Sequence, residues 1–87
     1  MEQRAPEADI VMQDYAFQPD EIYISLGSEL TWVNNDSVTH TVTADDGSFD
    51  SGSLRQGDSF SFTFKEKGTF KYHCRLHPRM HGTVVVE

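Results

Sequence analysis

Tyr72-His73-Cys74-Arg75-Leu76-His77-Pro78-Arg79-Met80-His81-Gly82 holds the only cysteine of the chain, three of its four histidines and one of its three methionines. The flanking residues alternate as strands do: Thr69-Phe70-Lys71-Tyr72-His73-Cys74 leads in, and Gly82-Thr83-Val84-Val85-Val86-Glu87 leads out. A thiolate, an imidazole and a thioether at three-residue spacing, Cys74-x-x-His77-x-x-Met80, make a soft metal-ligand set strung between two strands. The fold to expect is a β-framework that carries this loop at one end.

Strand parity sorts the donors. Phe70, Tyr72 and Cys74 share a face, and the aromatics turn that face to the core, so Cys74 points inward and His73 outward. Met80 is in line with Gly82, Val84 and Val86 and can return to the same inner end. His77, in the loop beside Pro78, can approach from outside with a ring edge near solvent. His81 is next to Met80 and has the opposite parity, so it suits the site less.

The missing donor comes from upstream. His40 lies in Val38-Thr39-His40-Thr41-Val42-Thr43, read as a strand with Val38, His40 and Val42 inward and the threonines outward. Two imidazoles, one thiolate and one weak methionine are the ligand set of a blue-copper electron-transfer site. Zinc is the chemical rival, with His40, Cys74 and His77 joined by His73 or His81. Against zinc stands Met80, whose thioether is a poor zinc ligand and a good weak axial donor to copper. The plain alternative is a buried free Cys74, a core Met80 and surface histidines.

Further strands are expected at Asp9–Gln13, Glu21–Ser25, Glu29–Asn34 and Ser59–Phe64. The last has the cleanest alternation, three phenylalanines in and three hydroxyl residues out. Leu30 and the lone Trp32 fall on an inward face, and Tyr15 and Phe17 read as core or edge packing. Asn34-Asn35-Asp36-Ser37 is a turn cluster. Asp45-Asp46-Gly47-Ser48-Phe49-Asp50-Ser51-Gly52 lacks the carboxylate spacing and terminal glutamate of a calcium loop and reads as solvated. No segment has a helical period, so the fold class is all-β, a sandwich or barrel of about eight short strands.

Eighty-seven residues allow one domain, residues 1–87, with residues 1–8 as a flexible lead. A chain of this size buries roughly 60% of its unfolded surface, which keeps stability margins thin. Fourteen Asp and Glu against seven Lys and Arg give a net charge of −7, which argues against nucleic acid or an anionic membrane as partner. No run approaches the roughly 20 apolar residues of a transmembrane helix, and no signal segment precedes the domain. Between His73 and Val86 there are two arginines and no acidic residue, so the ligand end is expected to be less negative than the body and to dock a neutral or acidic partner.

His40 with the run from Tyr72 to Glu87 resembles the cupredoxins of the plastocyanin and amicyanin group, and the short Cys-x-x-His-x-x-Met loop with Pro78 is similar to the amicyanin type. The resemblance spans nearly the whole chain. It implies a Greek-key β-sandwich with one type 1 copper at one end, held by His40, Cys74, His77 and Met80. It implies a one-electron carrier rather than an enzyme, serving redox proteins such as a c-type cytochrome, a dehydrogenase, a reductase or an oxidase. It also implies a monomer, exported to the periplasm or another extracytoplasmic compartment. Two other readings are a copper chaperone or storage module, which would call for a methionine-rich run that is absent, and the copper domain of a larger oxidoreductase. Many family members have asparagine directly after the first histidine ligand, bracing the two ligand loops. Thr41 stands there in this chain, and its hydroxyl is expected to brace them instead.

Overall fold

The computed structural model describes residues 8–87, so the N-terminal lead, Ala8 apart, lies outside the described residues. Eight strands form: β1 (Ile10–Gln13), β2 (Ala16–Gln18), β3 (Glu21–Ile24), β4 (Glu29–Asn34), β5 (Thr43–Ala44), β6 (Ser59–Thr63), β7 (Gly68–Cys74) and β8 (His77–Val86). They make two four-stranded sheets ordered β2-β1-β4-β6 and β3-β8-β7-β5, the all-β sandwich expected from the strand pattern. β1 runs parallel to β4 and β3 parallel to β8, and the remaining pairs are antiparallel. Among the described residues no helix is long and apolar enough to cross a membrane.

The core follows from period-2 alternation. β4 buries Leu30, Trp32 and Asn34 and turns Glu29, Thr31 and Val33 away from the core. β7 buries Tyr72 and Cys74, and β8 buries Met80, Gly82, Val84 and Val86, all on the face that parity assigned. Trp32 is fully buried, with Tyr72 edge-on at 5.5 Å and Phe49 at 5.8 Å. Each such aromatic stabilises the fold by about 2–3 kcal/mol relative to an exposed position. Phe64 is buried as expected, whereas Phe60 and Phe62 remain half-buried along β6, an outer strand of its sheet.

Three segments depart from the strand reading. Val38–Thr43 is not a continuous strand: only Thr43 and Ala44 join β5, and His40 makes an isolated bridge to Leu54. His40, Thr41 and Val42 are buried consecutively, so the expected in-and-out alternation fails there. The Asp-rich segment contributes a core residue, Phe49, which is 5% exposed. Tyr15 is not core: Asp14 and Tyr15 both have positive φ, 55° and 59°, which turns the chain and leaves Tyr15 half-exposed while Phe17 stays buried.

Candidate metal centre

One arm of the site is the β7–β8 hairpin. Backbone pairing runs regularly from Gly68↔Val86 to His73↔His81 and then jumps to Cys74↔His77. Pro78, Arg79 and Met80 are thus left unpaired opposite a single step of β7. In an uninterrupted strand, positions 77 and 80 would face opposite ways. The bulge breaks that parity, as extra residues in a ladder do, and brings both His77 and Met80 to the end where Cys74 lies. Cys74 is fully buried and Met80 is 3% exposed. β8 therefore starts at His77, five residues before the strand expected at Gly82, and the ligand loop is a two-residue turn plus a bulge.

The other arm is held by side chains. His40 pairs its backbone with Leu54 in both directions, at 3.0 and 2.8 Å. Asn34, fully buried, donates both amide hydrogens, to the carbonyls of Val38 (2.9 Å) and Leu54 (2.8 Å), and accepts from the Asp36 N–H at 2.8 Å. That amide clamps the chain on both sides of His40. Asp36 then holds the imidazole, with Oδ2 at 2.7 Å from Nε2 of His40. The same carboxylate accepts from the N–H groups of Asp14 (2.8 Å) and Tyr15 (3.0 Å). Burial alone would raise the Asp36 pKa, but the hydrogen bonds from His40, Tyr15 and Asp14 together hold it below its ordinary value. Those two backbone bonds also offset the cost, about 1–2 kcal/mol per residue, of the left-handed conformations at Asp14 and Tyr15.

The arms meet at sulfur. Cys74 Sγ is 3.6 Å from Nδ1 of His40 and 3.6 Å from Nδ1 of His77. Among the described residues these three form the one set of at least three His, Cys, Asp or Glu donors gathered within 4.8 Å. With Nε2 of His40 committed to an ionised carboxylate, its proton resides there and its Nδ1 lone pair faces the sulfur. One thiol hydrogen cannot satisfy two such nitrogens, whereas a cation between them can. A separation of 3.6 Å is what two ligands of a single ion would show at bond lengths of about 2.1–2.3 Å and a near-tetrahedral angle. One thiolate, two imidazoles and a buried thioether at the same end fit copper better than zinc.

Comparison with known proteins agrees. A family model described as a cupredoxin-like domain matches residues 1–86. The chain belongs to the cupredoxin family. Amicyanin of Paracoccus denitrificans is 34% identical over 76 residues, covering 82% of this chain and 58% of that protein, so this cupredoxin spans well under two thirds of that relative's length. A purple cupredoxin from Nitrosopumilus maritimus superposes with a TM-score of 0.85 at 33% identity, covering 93% of this chain and all of the other. A Cu(I) form of a mutant amicyanin superposes with a TM-score of 0.84 at 30% identity, over 90% of this chain and 79% of the other.

Thr41 of this cupredoxin does brace the two arms. Its Oγ1 accepts the Arg75 N–H at 2.8 Å, and its own N–H points at Cys74 Sγ, 3.4 Å away. Thr41 Oγ1 also lies 3.0 Å from Thr43 Oγ1, and Thr43 donates to Asp50 Oδ1 at 3.2 Å. Since Arg75 N–H can only donate and the carboxylate can only accept, the hydroxyls align in one direction, from Thr41 to Thr43 to Asp50. The Arg75 guanidinium closes the ring on Asp50 Oδ2 at 2.8 Å.

Acidic residues from elsewhere in the chain also reach the site: Asp50 pairs with Arg75, and Asp36 sits against His40. Tyr15, missed as a site residue, sets its ring edge-on to His40 at 5.5 Å and to His77 at 4.9 Å. Its signal in the sequence was only a tyrosine beside an aspartate, since the turn that exposes it depends on Asp36, more than twenty residues away. His73 and His81 lie outside the donor set, as parity indicated.

Proposed function

We propose that this cupredoxin carries single electrons between redox proteins, with one copper ion held by His40, Cys74, His77 and Met80. The observation that supports this most is the pair of 3.6 Å separations from Cys74 Sγ to the two imidazole Nδ1 atoms in a buried place beside Met80. Copper bound there supplies a one-electron couple. The protein's part is to hold the donors still and dry. Cys74 and His40 are fully buried, and the clamps from Asn34, Asp36 and Thr41 fix the positions of the donors, so little rearrangement accompanies a change of charge.

His77 alone of the four reaches partial exposure, at the edge of a shallow depression of about 470 Å³ lined by Tyr15, Leu76, Pro78, Arg79 and Met80. Leu76 and Tyr15 are 51% and 52% exposed there, giving an apolar rim through which a partner's redox centre can approach the imidazole edge. The partner is a redox protein such as a c-type cytochrome, dehydrogenase, reductase or oxidase. All four donors belong to the protein, and among the described residues no paired carboxylates or activated nucleophile accompany them, so the reading is a carrier and not an enzyme. By its likeness to the amicyanins we place it outside the cytoplasm, as a monomer.

Adding copper(II) to the apo protein tests this. An intense visible thiolate-to-metal charge-transfer band, bleached by ascorbate, restored by ferricyanide and absent from Cys74→Ser, is the expected result. A protein that stays colourless with copper and binds zinc tightly instead overturns it. Stopped-flow exchange with reduced cytochrome c then checks the carrier role.

A further inference from the structure

Two histidines of the opening stretch have no part in the inner site, and the fold brings them together on its outside. His73 of β7 and His81 of β8 are direct antiparallel partners, on the face opposite Tyr72, Cys74 and Gly82. Side chains directly opposed in this way have Cβ atoms about 4.5–5.5 Å apart on the same face, a span that one metal ion bridges between two imidazoles. Behind His73 stands Asp45, whose Oδ1 lies 2.6 Å from His73 Nδ1. The Asp45 backbone is itself tied to β7 through its N–H on the Lys71 carbonyl at 2.8 Å.

That carboxylate determines what His73 can do. With Nδ1–H donated to Asp45, the proton is held on Nδ1 and the lone pair is left on Nε2, at the far side of the ring from the carboxylate. Carboxylate, histidine and metal in sequence is the arrangement by which proteins fix the tautomer of a ligating imidazole and raise its basicity. His81 is exposed, and among the described residues no hydrogen bond holds its ring. Asp45, His73 and His81 are not gathered within 4.8 Å in the orientation shown, so binding requires His81 to turn about its side-chain torsions.

We propose that His73 and His81, with Asp45 supporting His73, form a second metal site on the outer face of the β7–β8 hairpin, one that takes a divalent transition ion such as zinc(II) or copper(II). Imidazole nitrogens suit these ions, and no thiolate or thioether is within the outer set. The cations nearby limit the affinity without cancelling it. Lys71 shares the outer face two residues before His73, while the Arg75 guanidinium is already paired with Asp50. An ion here sits one peptide unit from Cys74 yet on the other side of the sheet, so neither site takes a donor from the other.

The test uses the copper-loaded full-length protein, its inner site saturated as judged by the visible band, titrated with zinc chloride in a calorimeter. One further equivalent is expected to bind. His81→Ala and His73→Ala each lose it, and Asp45→Asn weakens it roughly tenfold, the usual cost of removing a carboxylate behind a ligating histidine. The visible band keeps its intensity in all three variants, which also shows that they fold. If no further zinc binds, or if zinc binds as tightly to His81→Ala as to the parent, the outer site is overturned. The inner site is judged separately by the visible band at the first equivalent of copper.

Discussion

The two arms that meet at Cys74 are built by different means. The β7–β8 hairpin places Cys74, His77 and Met80 through a backbone ladder of seven registered pairs, with side chains needed only to fill the inner face. The His40 segment has two isolated bridges, His40 to Leu54 and Thr43 to Asp50, and a two-residue strand, and its geometry leans on the side chains of Asn34, Asp36 and Thr41. A ladder spreads a local loss over many bonds, whereas a side-chain clamp concentrates it in one residue. Single polar substitutions should therefore damage the His40 arm far more than the hairpin, and only a steric change should damage the hairpin.

The largest effect is expected at Asn34. Replacing it by alanine leaves the Val38 carbonyl and the Asp36 N–H without their partner, and the Leu54 carbonyl with the His40 N–H alone, in or beside a fully buried position. Each unsatisfied buried group costs about 1–3 kcal/mol, so Asn34→Ala should lose about 4 kcal/mol. Chemical denaturation of the apo protein gives the stability, and the charge-transfer band of the copper form reports whether His40 has moved. A loss under about 1 kcal/mol would make the clamp dispensable and dissolve the contrast between the arms.

Next comes Gly82→Ala, the steric counterpart on the hairpin. A Cβ at Gly82 would stand 2.5 Å from both Cζ and the hydroxyl oxygen of Tyr72. Tyr72 is fully buried against Trp32 and Phe17, so its ring has nowhere to withdraw. Overpacking of this kind costs about 3 kcal/mol, near 12–24 °C in melting temperature for a domain of this size. Thermal melts of apo and copper-loaded protein check it. If Gly82→Ala melts with the parent, the inner face of the hairpin is looser than its packing indicates.

How far each arm was legible follows from the same difference. Ladder geometry is written in local alternation, so the inward facing of Phe70, Tyr72, Cys74, Met80, Val84 and Val86 could be read directly, as could Leu30 and Trp32 in β4. The bulge at Pro78–Met80 could not, because it depends on which residues pair across the hairpin. Val38–Thr43 alternates as well as any strand, yet Asn34 and Asp36 capture its surroundings through contacts that no local pattern encodes. Tyr15 and Phe49 went unread for the same reason. Tyr15 is turned outward by Asp36, and Phe49 is drawn into the core from an acidic segment by the aromatic cluster around Trp32.

Thr41→Val probes the joint between the arms. It keeps the shape of the side chain but removes the acceptor for the Arg75 N–H and breaks the hydroxyl chain to Asp50. The loss should be about 1–2 kcal/mol, smaller than at Asn34 because fewer groups are stranded. The spectroscopic consequence is sharper than the energetic one: Arg75 follows the thiolate directly, so the charge-transfer band and the reduction potential should both shift. Thr43→Val, one bond further out, should shift them less. Equal shifts in the two variants would mean that the hydroxyl chain acts as a whole and not through Thr41.

The smallest effect lies at the outer end of that chain and is a pH effect. The carboxyl pKa of Asp50 is lowered from its ordinary 3.8, first by the Gly52 N–H at 3.0 Å, against the opposing pull of burial, then by Arg75 and Thr43. A carboxylate whose pKa falls on folding adds stability above its unfolded value, and that stability disappears as pH falls through the lower folded value. The parent should thus melt above Asp50→Asn at neutral pH, and the gap should close only as pH falls below 3.8 and through the lower folded value. With Asp50 nearly half-exposed, solvent screening keeps that gap to a few degrees. Melting of the apo proteins across this range checks the sign. A gap that persists to the acid limit would assign the role of Asp50 to its shape and neutral hydrogen bonds, and would make the outer end of the chain as insensitive to charge as the ladder of the hairpin.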